Sequence, residues 1–399
     1  MDFYKKGVPE KELNTRIKNL QAALAEKNIT GALIVQKTDF FYFSGTIQQG
    51  WLYIPDHGEP LLMVFKDFKR AAAESALKSV IPLVNPKKIP EILRERGYDI
   101  PKVLGMELDV LPVNLYFQYK KIFPKASIID ISTDIRLIRA VKSRYELMRM
   151  KNAAEMSDKL AAKVPDLLEE GKPEIKMAGE LEAYARSLGH QGFVRMRLWG
   201  SELFYGHIMS GPSAAVPSYL ASPTGGSGTS SATAQGPGFN KIKRNESVLV
   251  DYVFGLNGYL SDHTRIFSIG PPPDKLIKAH EAMLELQNTA KKKAVPGMVA
   301  GDLYELMINM ADEMGYKEYF MGAGDRKIKF TGHGLGLELD EFPFIAKGQP
   351  LPLKRGMVIA LEPKIIMPGI GVAGIENTHV VTDNGLESLT KSREDIVII

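Results

Sequence analysis

The sequence contains no cysteine among its 399 residues. Disulfide bonds, thiolate nucleophiles and zinc-thiolate sites are therefore excluded. No apolar run approaches the roughly 18 to 20 residues that span a bilayer, and the first residues, MDFYKKGVPEKEL, lack the apolar core of a secretory signal. The sequence thus predicts a soluble, cytoplasmic protein whose chemistry depends on histidine, carboxylates, hydroxyls or a bound metal.

A strong excess of charge of either sign is also missing. Lys and Arg total 51 and Asp and Glu total 47, which gives a formal net charge of +4. Over a chain of this length, that excess is too small to indicate a nucleic acid or a membrane surface as a partner. We therefore predict that the protein binds neither.

The pattern of apolar residues divides the chain into two predicted domains. Residues 1–140 alternate helical and strand-like segments, which predicts an α/β domain. Ser143 and Glu146 then form a capping-box pattern ahead of a long amphipathic segment. Residues 141–399 predict an α+β domain with strand runs between its helices. Its further helices are expected near residues 174–188, 274–292 and 302–314.

One segment, residues 222–238, has an unusual composition. Its sequence, SPTGGSGTSSATAQGPG, is rich in Gly, Ser, Thr and Pro and shows no apolar periodicity. A segment of this length inside a compact domain is either a functional lid or a surface loop without a role. The sequence leaves both interpretations open.

The strongest signal is a carboxylate pattern that appears twice. In the first copy an apolar strand delivers Asp251, and a second strand opens with Asp262-His-Thr. In the second copy an apolar strand delivers Glu362, and a later strand opens with Glu376-Asn-Thr. Each copy contains a glycine-bearing turn between its two strands. We therefore expect two similar antiparallel hairpins.

Carboxylates in apolar strands are costly to bury unless they are paired. Four of them in matched settings would repel one another, and hard divalent cations bound by carboxylate oxygens remove that repulsion. A bridging carboxylate can serve two ions at once. An isolated strand carboxylate would instead face water. His333, between two glycines, adds a nitrogen donor, and we expect these glycines to let the imidazole approach a ligand closely.

On these residues the sequence resembles the M24-type metallopeptidases with the pita-bread fold, in the branch of prolidase and aminopeptidase P. The resemblance implies a creatinase-like amino-terminal domain and a catalytic domain with a pseudo-twofold duplication. It also implies a homodimer and two divalent ions, with Mn or Co as the usual metals and Zn or Fe as further options. A hydroxide bridging the two ions would be the nucleophile.

The resemblance further assigns roles to the five candidate ligands. Asp251 would bind the first ion, and Asp262 and Glu376 would bridge the two ions. His333 and Glu362 would complete the second ion's ligands. Glu362 would also be placed to transfer protons as a catalytic residue.

Four positions depart from the family pattern. Ser218 stands where a Pro-His-Gly element usually carries histidine, and Asp340 replaces a second histidine, in a His-Glu-x-Pro element. Lys364 stands where glycine commonly follows Glu-Pro, and Gly374 stands where many members have arginine. Loss of one donor to a developing oxyanion typically costs about 10²- to 10³-fold in rate. We therefore expect an altered substrate-facing shell around a retained set of metal ligands.

Four residues are candidates for that altered shell. Asp340 could act as a catalytic base beside the metals. His207 is either a structural histidine or part of the pocket wall, where it would contact substrate. Ser218 and Tyr219 are the remaining candidate substrate contacts.

Three functions are compatible with these residues. The leading prediction is a dinuclear metal-dependent hydrolase that acts as an Xaa-Pro dipeptidase or aminopeptidase. The alternative enzyme is a metal-dependent lyase or hydrolase of a small non-peptide substrate, in which Asp340 abstracts a proton. A non-catalytic binding module is disfavoured, because relatives of that kind commonly lose metal ligands and all five are present here.

Overall fold

The computed structural model describes residues 7–202 and 205–399. It consists of two compact units, Met1–Arg139 and Ala140–Ile399. The first six residues of the predicted amino-terminal domain lie outside the described residues. Each unit is built around its own apolar clusters.

The first unit is an α/β layer around one mixed sheet. Its strands are Gly31–Ile34 (β1), Gly50–Pro55 (β2), Leu61–Val64 (β3), Val80–Pro82 (β4), Val103–Met106 (β5) and Ser127–Asp130 (β6). Its helices are Glu10–Glu26 (α1), Lys37–Ser44 (α2), Phe68–Glu74 (α3), Ile89–Glu95 (α4), Val113–Ile122 (α5) and Ser132–Ala140 (α6). The strand order is β4-β3-β2-β1-β5-β6. The pairs β1–β2 and β2–β3 are antiparallel and the others are parallel.

The second unit is α+β and has more strands than helices. Its helices are Arg144–Leu167 (α7), Glu174–Ser187 (α8), Asp274–Lys293 (α9) and Ala300–Glu313 (α10). Its strands are Gly206–Ser210 (β7), Val248–Leu256 (β8), Tyr259–Ser268 (β9), Phe330–Gly334 (β10), Glu341–Ala346 (β11), Val358–Leu361 (β12), Lys364–Met367 (β13), Gly371–Gly374 (β14), Asn377–Thr382 (β15), Gly385–Ser388 (β16) and Val397–Ile398 (β17). The predicted capping box at the start of α7 is confirmed, because Ser143 Oγ accepts from Glu146 N–H and Glu146 Oε2 accepts from Ser143 N–H.

Two similar halves make up this second unit. In the first half α7 and α8 pack on the sheet β17-β9-β8-β7, through buried residues such as Leu160, Leu181 and Phe254. In the second half α9 and α10 pack on the sheet β11-β10-β12-β15-β16, through buried residues such as Met283 and Met307. Burial of one apolar face of each helix holds each half together.

The expectation of two similar hairpins is correct for the first copy of the carboxylate pattern and wrong for the second. Strands β8 and β9 form a true hairpin across Asn257 and Gly258. Strands β12 and β15 are also antiparallel neighbours, but a separate hairpin, β13–β14, is inserted between them. The stretch between Glu362 and Glu376 is longer than the one between Asp251 and Asp262, which gives this hairpin room. The first residue of the inserted hairpin is Lys364.

The glycine- and serine-rich segment 222–238 is packed at its base and exposed at its tip. Residues 223–226, 235 and 236 are buried, whereas residues 229–234 are exposed. Its two arms are tied by backbone hydrogen bonds from Gly228 N to Gly236 O and from Gly236 N to Gly225 O. Gly226, at φ +73°, lies against Met209 so closely that a side chain there would collide with it.

Candidate metal centre

The five predicted ligands come from five different strands or strand ends and meet in the second unit. Asp251 lies in β8 and Asp262 in β9, while Glu362 directly follows β12 and Glu376 directly precedes β15. His333 lies in β10. Its Nε2 is 3.7 Å from Asp262 Oδ2 and 3.9 Å from the Oε1 atom of each of Glu362 and Glu376. The long-range convergence predicted from the sequence is therefore present in the fold.

Three of these residues form a group that fits one metal ion. Donor atoms of Asp262, His333 and Glu376 all lie within 4.8 Å of one another. Asp262 Oδ1 is buried and has no hydrogen-bond partner among the described residues. A buried carboxylate oxygen without a donor is unfavourable, and mixed carboxylate and imidazole donors suit Mn, Fe, Co or Zn. A divalent ion at this position would satisfy that oxygen.

The orientation of His333 also suits a metal ligand. Its Nδ1 lies 3.2 Å from the carbonyl oxygen of Gly334, which can only accept a hydrogen bond. Nδ1 therefore carries the proton, and the lone pair of Nε2 is directed towards the carboxylates. The flanking glycines serve backbone packing, because side chains at Gly332 and Gly334 would collide with the carbonyl oxygens of Ala360 and Phe342 on the two neighbouring strands.

The two threonines of the repeated pattern connect one copy to the other. Thr264 Oγ1 donates to Glu376 Oε2 at 2.8 Å, so a residue of the first copy holds a ligand of the second. Reciprocally, Thr378 Oγ1 donates to Asp262 O at 2.8 Å and accepts from Asp262 N–H at 2.9 Å. The carboxylate-x-Thr pattern thus links the two bridging candidates, one from each half of the unit, to each other's strands.

The sequence did not predict that a lysine enters this centre. Lys364 Nζ lies 2.8 Å from Glu376 Oε2, 2.9 Å from Glu362 Oε2 and 3.1 Å from Asp251 Oδ2. Its side chain is 1% exposed. A buried lysine is stable only when its charge is paired, and here the carboxylates of three candidate ligands pair it.

The electrostatics of the centre are uneven as a result. Burial, with repulsion from Glu376 and Asp251, raises the pKa of Asp262 well above its ordinary value. Burial also raises the pKa of Glu376 to about 7, although the charge of Lys364 partly offsets it. Burial opposes ionisation of Asp251 as well, but Lys364 and then His207 outweigh it and hold the pKa of that carboxyl below its ordinary range. Asp262 and Glu376 are therefore the carboxylates that a further cation would stabilise.

The residues predicted to contact substrate lie at different distances from this centre. His207 lines the same cavity as the ligands, and its Nδ1 is 3.9 Å from Asp251 Oδ2. Its Nε2 lies 2.9 Å from the side-chain nitrogen of Gln235, in the glycine- and serine-rich segment. Ser218 Oγ donates to Gln235 Oε1 at 2.8 Å and does not itself line the cavity. Tyr219 is 57% exposed and does not line the cavity, but its hydroxyl donates to Glu202, which does.

Asp340 lies on the cavity wall with both carboxylate oxygens accepting backbone hydrogen bonds. Oδ1 accepts from Arg197 N–H at 2.8 Å and Oδ2 accepts from Leu198 N–H at 2.6 Å. The side chain is 5% exposed. This arrangement favours a carboxylate that positions residues 197 and 198. Its predicted role as a base stays a prediction.

The cavity itself is small and mostly apolar. Its volume is about 220 Å³, below the roughly 300 to 1,000 Å³ usual for drug-sized ligands. All five candidate ligands are among the residues that line it, together with apolar side chains such as Met196, Leu198, Leu220, Phe330 and Phe344. Such a cavity suits a short ligand with an apolar group next to the cation-binding carboxylates.

Comparison with known proteins identifies the family of this centre. The chain matches the model of metallopeptidase family M24 over residues 148–383 and that of the creatinase/prolidase N-terminal domain over residues 16–141. The chain belongs to metallopeptidase family M24. It is 30% identical over 392 residues to the Xaa-Pro dipeptidase of Pyrococcus furiosus. The matched residues cover 96% of this chain and 100% of that relative.

Solved structures of an Xaa-Pro dipeptidase and a prolidase are similar to this chain. The Xaa-Pro dipeptidase from Bacillus anthracis superposes with a TM-score of 0.83 at 26% identity, over 97% of this chain and 100% of that one. The prolidase from Pyrococcus horikoshii OT3 gives a TM-score of 0.80 at 27% identity, over 95% and 99%. The predicted pita-bread fold with a creatinase-like amino-terminal domain is confirmed.

Membership of family M24 also confirms that the chain is an enzyme, a hydrolase of the metal-dependent peptidase class. The number and identity of the ions, the homodimer and the cytoplasmic location stay predictions. None of the helices in residues 7–202 and 205–399 is both long enough and apolar enough to cross a membrane.

Proposed function

We propose that this M24 enzyme is an Xaa-Pro peptidase, which hydrolyses the bond before proline in a dipeptide or at a peptide amino terminus. The observation that carries the proposal is the convergence of Asp262, His333 and Glu376 beside a small apolar cavity. The printed names of the relatives, Xaa-Pro dipeptidase and prolidase, support the same substrate class.

The cavity has the composition that this substrate needs. The pyrrolidine ring of proline is apolar and compact, and side chains such as Leu220, Phe330 and Phe344 would exclude water around it. When bound, a divalent cation polarises the scissile carbonyl and activates water. Asp262, His333 and Glu376 would hold that cation, and Glu362 lies beside them with Oε1 3.9 Å from His333 Nε2.

Glu362 is the residue proposed to move protons. Its Oε2 accepts from Lys364, which orients the carboxylate and leaves Oε1 on the side of His333. From that position Oε1 would take a proton from the attacking water and deliver it to the leaving amine. His207, which also lines the cavity, is proposed to contact the substrate.

The altered substrate-facing shell is part of this proposal. Ser218 and Asp340 do not replace the missing histidines as donors, because Ser218 is engaged by Gln235 and Asp340 accepts two backbone hydrogen bonds. We therefore expect slower turnover than in relatives that have both histidines, by about 10²- to 10³-fold for each lost donor. The lyase alternative depended on Asp340 as a base, and these contacts do not favour it.

The test is a substrate panel on chelator-treated protein that has been reloaded with Mn or Co. We expect cleavage of at least one Xaa-Pro dipeptide or Xaa-Pro tripeptide, with no cleavage of matched Xaa-Ala peptides. His333→Ala should abolish turnover, whereas His57→Ala, at an exposed histidine of the first unit, should not change it. Metal-loaded protein that cleaves no Xaa-Pro peptide on the panel would overturn the proposal.

A further inference from the structure

The sequence predicts two metal ions, and the position of Lys364 bears on that number. We propose that the Lys364 ammonium group occupies the position of one of these ions, so that the chain binds a single divalent ion, at Asp262, His333 and Glu376. The inference rests on the proposed metal-dependent function and specifies the composition of its centre.

The first argument is how the carboxylate oxygens are divided. Glu362 and Glu376 each direct one oxygen to Lys364 Nζ, at 2.9 and 2.8 Å, and the other towards His333 Nε2, at 3.9 Å. Each glutamate therefore faces two positions, one on the side of Lys364 and one on the side of His333. One of these positions holds the ammonium group, and the other is bounded by Asp262 and His333.

The second argument is that the lysine takes the ligand specific to the first ion. Asp251 Oδ2 lies 3.1 Å from Lys364 Nζ. The three N–H bonds of an ammonium group match three carboxylate acceptors, so Asp251, Glu362 and Glu376 satisfy it together. A divalent ion bound to the same oxygens at about 2.0 to 2.6 Å would overlap the ammonium group and repel its charge.

The third argument is that the fold makes room for this lysine. Lys364 is paired directly with Gly374 in the β13–β14 hairpin. A Cβ atom on residue 374 would lie 2.5 Å from the carbonyl oxygen of Pro363, 2.8 Å from Lys364 Cα and 3.0 Å from Lys364 Cγ. With φ at +150°, Gly374 also has a backbone conformation that other residues rarely adopt. Glycine at residue 374 thus leaves the space that the backbone and side chain of Lys364 occupy.

The lysine is placed for a structural role rather than for contact with substrate. Lys364 is 1% exposed and is not among the residues that line the cavity, whereas all five ligands are. It contacts three of the candidate ligand carboxylates without reaching the cavity itself. Its charge is therefore a permanent part of the centre, and the ion at Asp262 and His333 is the one next to the substrate.

The test counts bound ions and does not depend on turnover. Chelator-treated protein is equilibrated with MnCl₂, and manganese per chain is measured by mass spectrometry after dialysis at fixed free Mn²⁺. We expect one ion per chain in the wild type and two in Lys364→Ala, in which the three carboxylates lose their internal cation. Lys142→Ala is the matched control, because Lys142 is equally buried and pairs with Glu341, which is not a ligand. This control should keep one ion.

Crystals soaked in Mn²⁺ provide a second measurement that needs no variant. One anomalous peak bonded to Asp262, His333 and Glu376 is the expected result. Two ions in the wild type, or a peak within bonding distance of Asp251 Oδ2, would overturn the role of Lys364 and leave the proposed peptidase intact. A count of one in both the wild type and a folded Lys364→Ala would also overturn it. No bound ion in the wild type would overturn both proposals.

Discussion

Replacement of Asp340 by asparagine separates a positioning role from a catalytic role. In the structure Oδ1 and Oδ2 accept from the N–H groups of Arg197 and Leu198, at 2.8 and 2.6 Å. An asparagine side chain has one acceptor oxygen and one NH₂ donor. In Asp340→Asn, one of the two backbone N–H groups therefore faces a donor and loses its partner.

The magnitude of this loss follows from the kind of hydrogen bond that is removed. A hydrogen bond to a charged acceptor contributes about 1.5 to 3 kcal/mol, and about 1.4 kcal/mol corresponds to a factor of ten. If the loss falls on the segment that carries Leu198 into the cavity, KM rises by about 10- to 100-fold. The value of kcat should change by less, because no group that exchanges protons with substrate is removed.

Steady-state kinetics on the best Xaa-Pro peptide of the panel distinguishes the two roles. Loss of a general base typically lowers the rate by about 10²- to 10⁴-fold, and this loss appears in kcat. Glu341→Gln is the matched control, since Glu341 accepts backbone hydrogen bonds from residues 337 and 338 but does not line the cavity. A fall in kcat of more than about 100-fold at unchanged KM in Asp340→Asn would refute the positioning argument.

Two further predictions concern stability. Glu174 accepts five hydrogen bonds, one of them from Gly238 N–H at the end of the glycine- and serine-rich segment; Glu174→Gln should lower the free energy of unfolding by about 1 to 3 kcal/mol, and a urea midpoint equal to that of the wild type would contradict this. Burial, followed by a neighbouring aspartate, raises the pKa of Glu107 from 4.5 to about 8. Between these values the folded state keeps a proton that the unfolded state releases, so stability should fall as pH rises, by up to about 1.4 kcal/mol per pH unit. Glu107→Gln should flatten the dependence of stability on pH. Urea unfolding at several pH values measures this, followed by the fluorescence of Trp51, whose indole N–H donates a hydrogen bond to Tyr119. An unchanged slope would show that Glu107 is not its source.

The convergence of the four candidate carboxylates could be predicted from the sequence because their pattern is local and repeated. Each strand that delivers a carboxylate is apolar over several residues, and the carboxylate-x-Thr element occurs twice. Neither feature depends on knowing which strands are neighbours. The pairing of Thr264 with Glu376, and of Thr378 with Asp262, depends on how the two halves meet and could not be predicted from either copy alone.

Lys364 illustrates what a motif comparison does not convey. The sequence marks it as a departure after Glu-Pro, and marks Gly374 as a second, unrelated departure. Only the register of β13 with β14 shows that the two residues face each other and that one makes space for the other. In the same way, the composition of segment 222–238 gives no indication that Gln235 contacts both His207 and Ser218.

The internal lysine also changes what loss of metal does to the fold. In a centre with two ions, removal of both would leave four buried carboxylates without any counter-charge, which is strongly unfavourable. Here Lys364 stays with Asp251, Glu362 and Glu376 when metal leaves. The unsatisfied group is then Asp262, whose Oδ1 has no hydrogen-bond partner in the described part of the chain. Since a proton on that carboxylate removes its charge, the metal-free protein should stay folded and bind its ion reversibly.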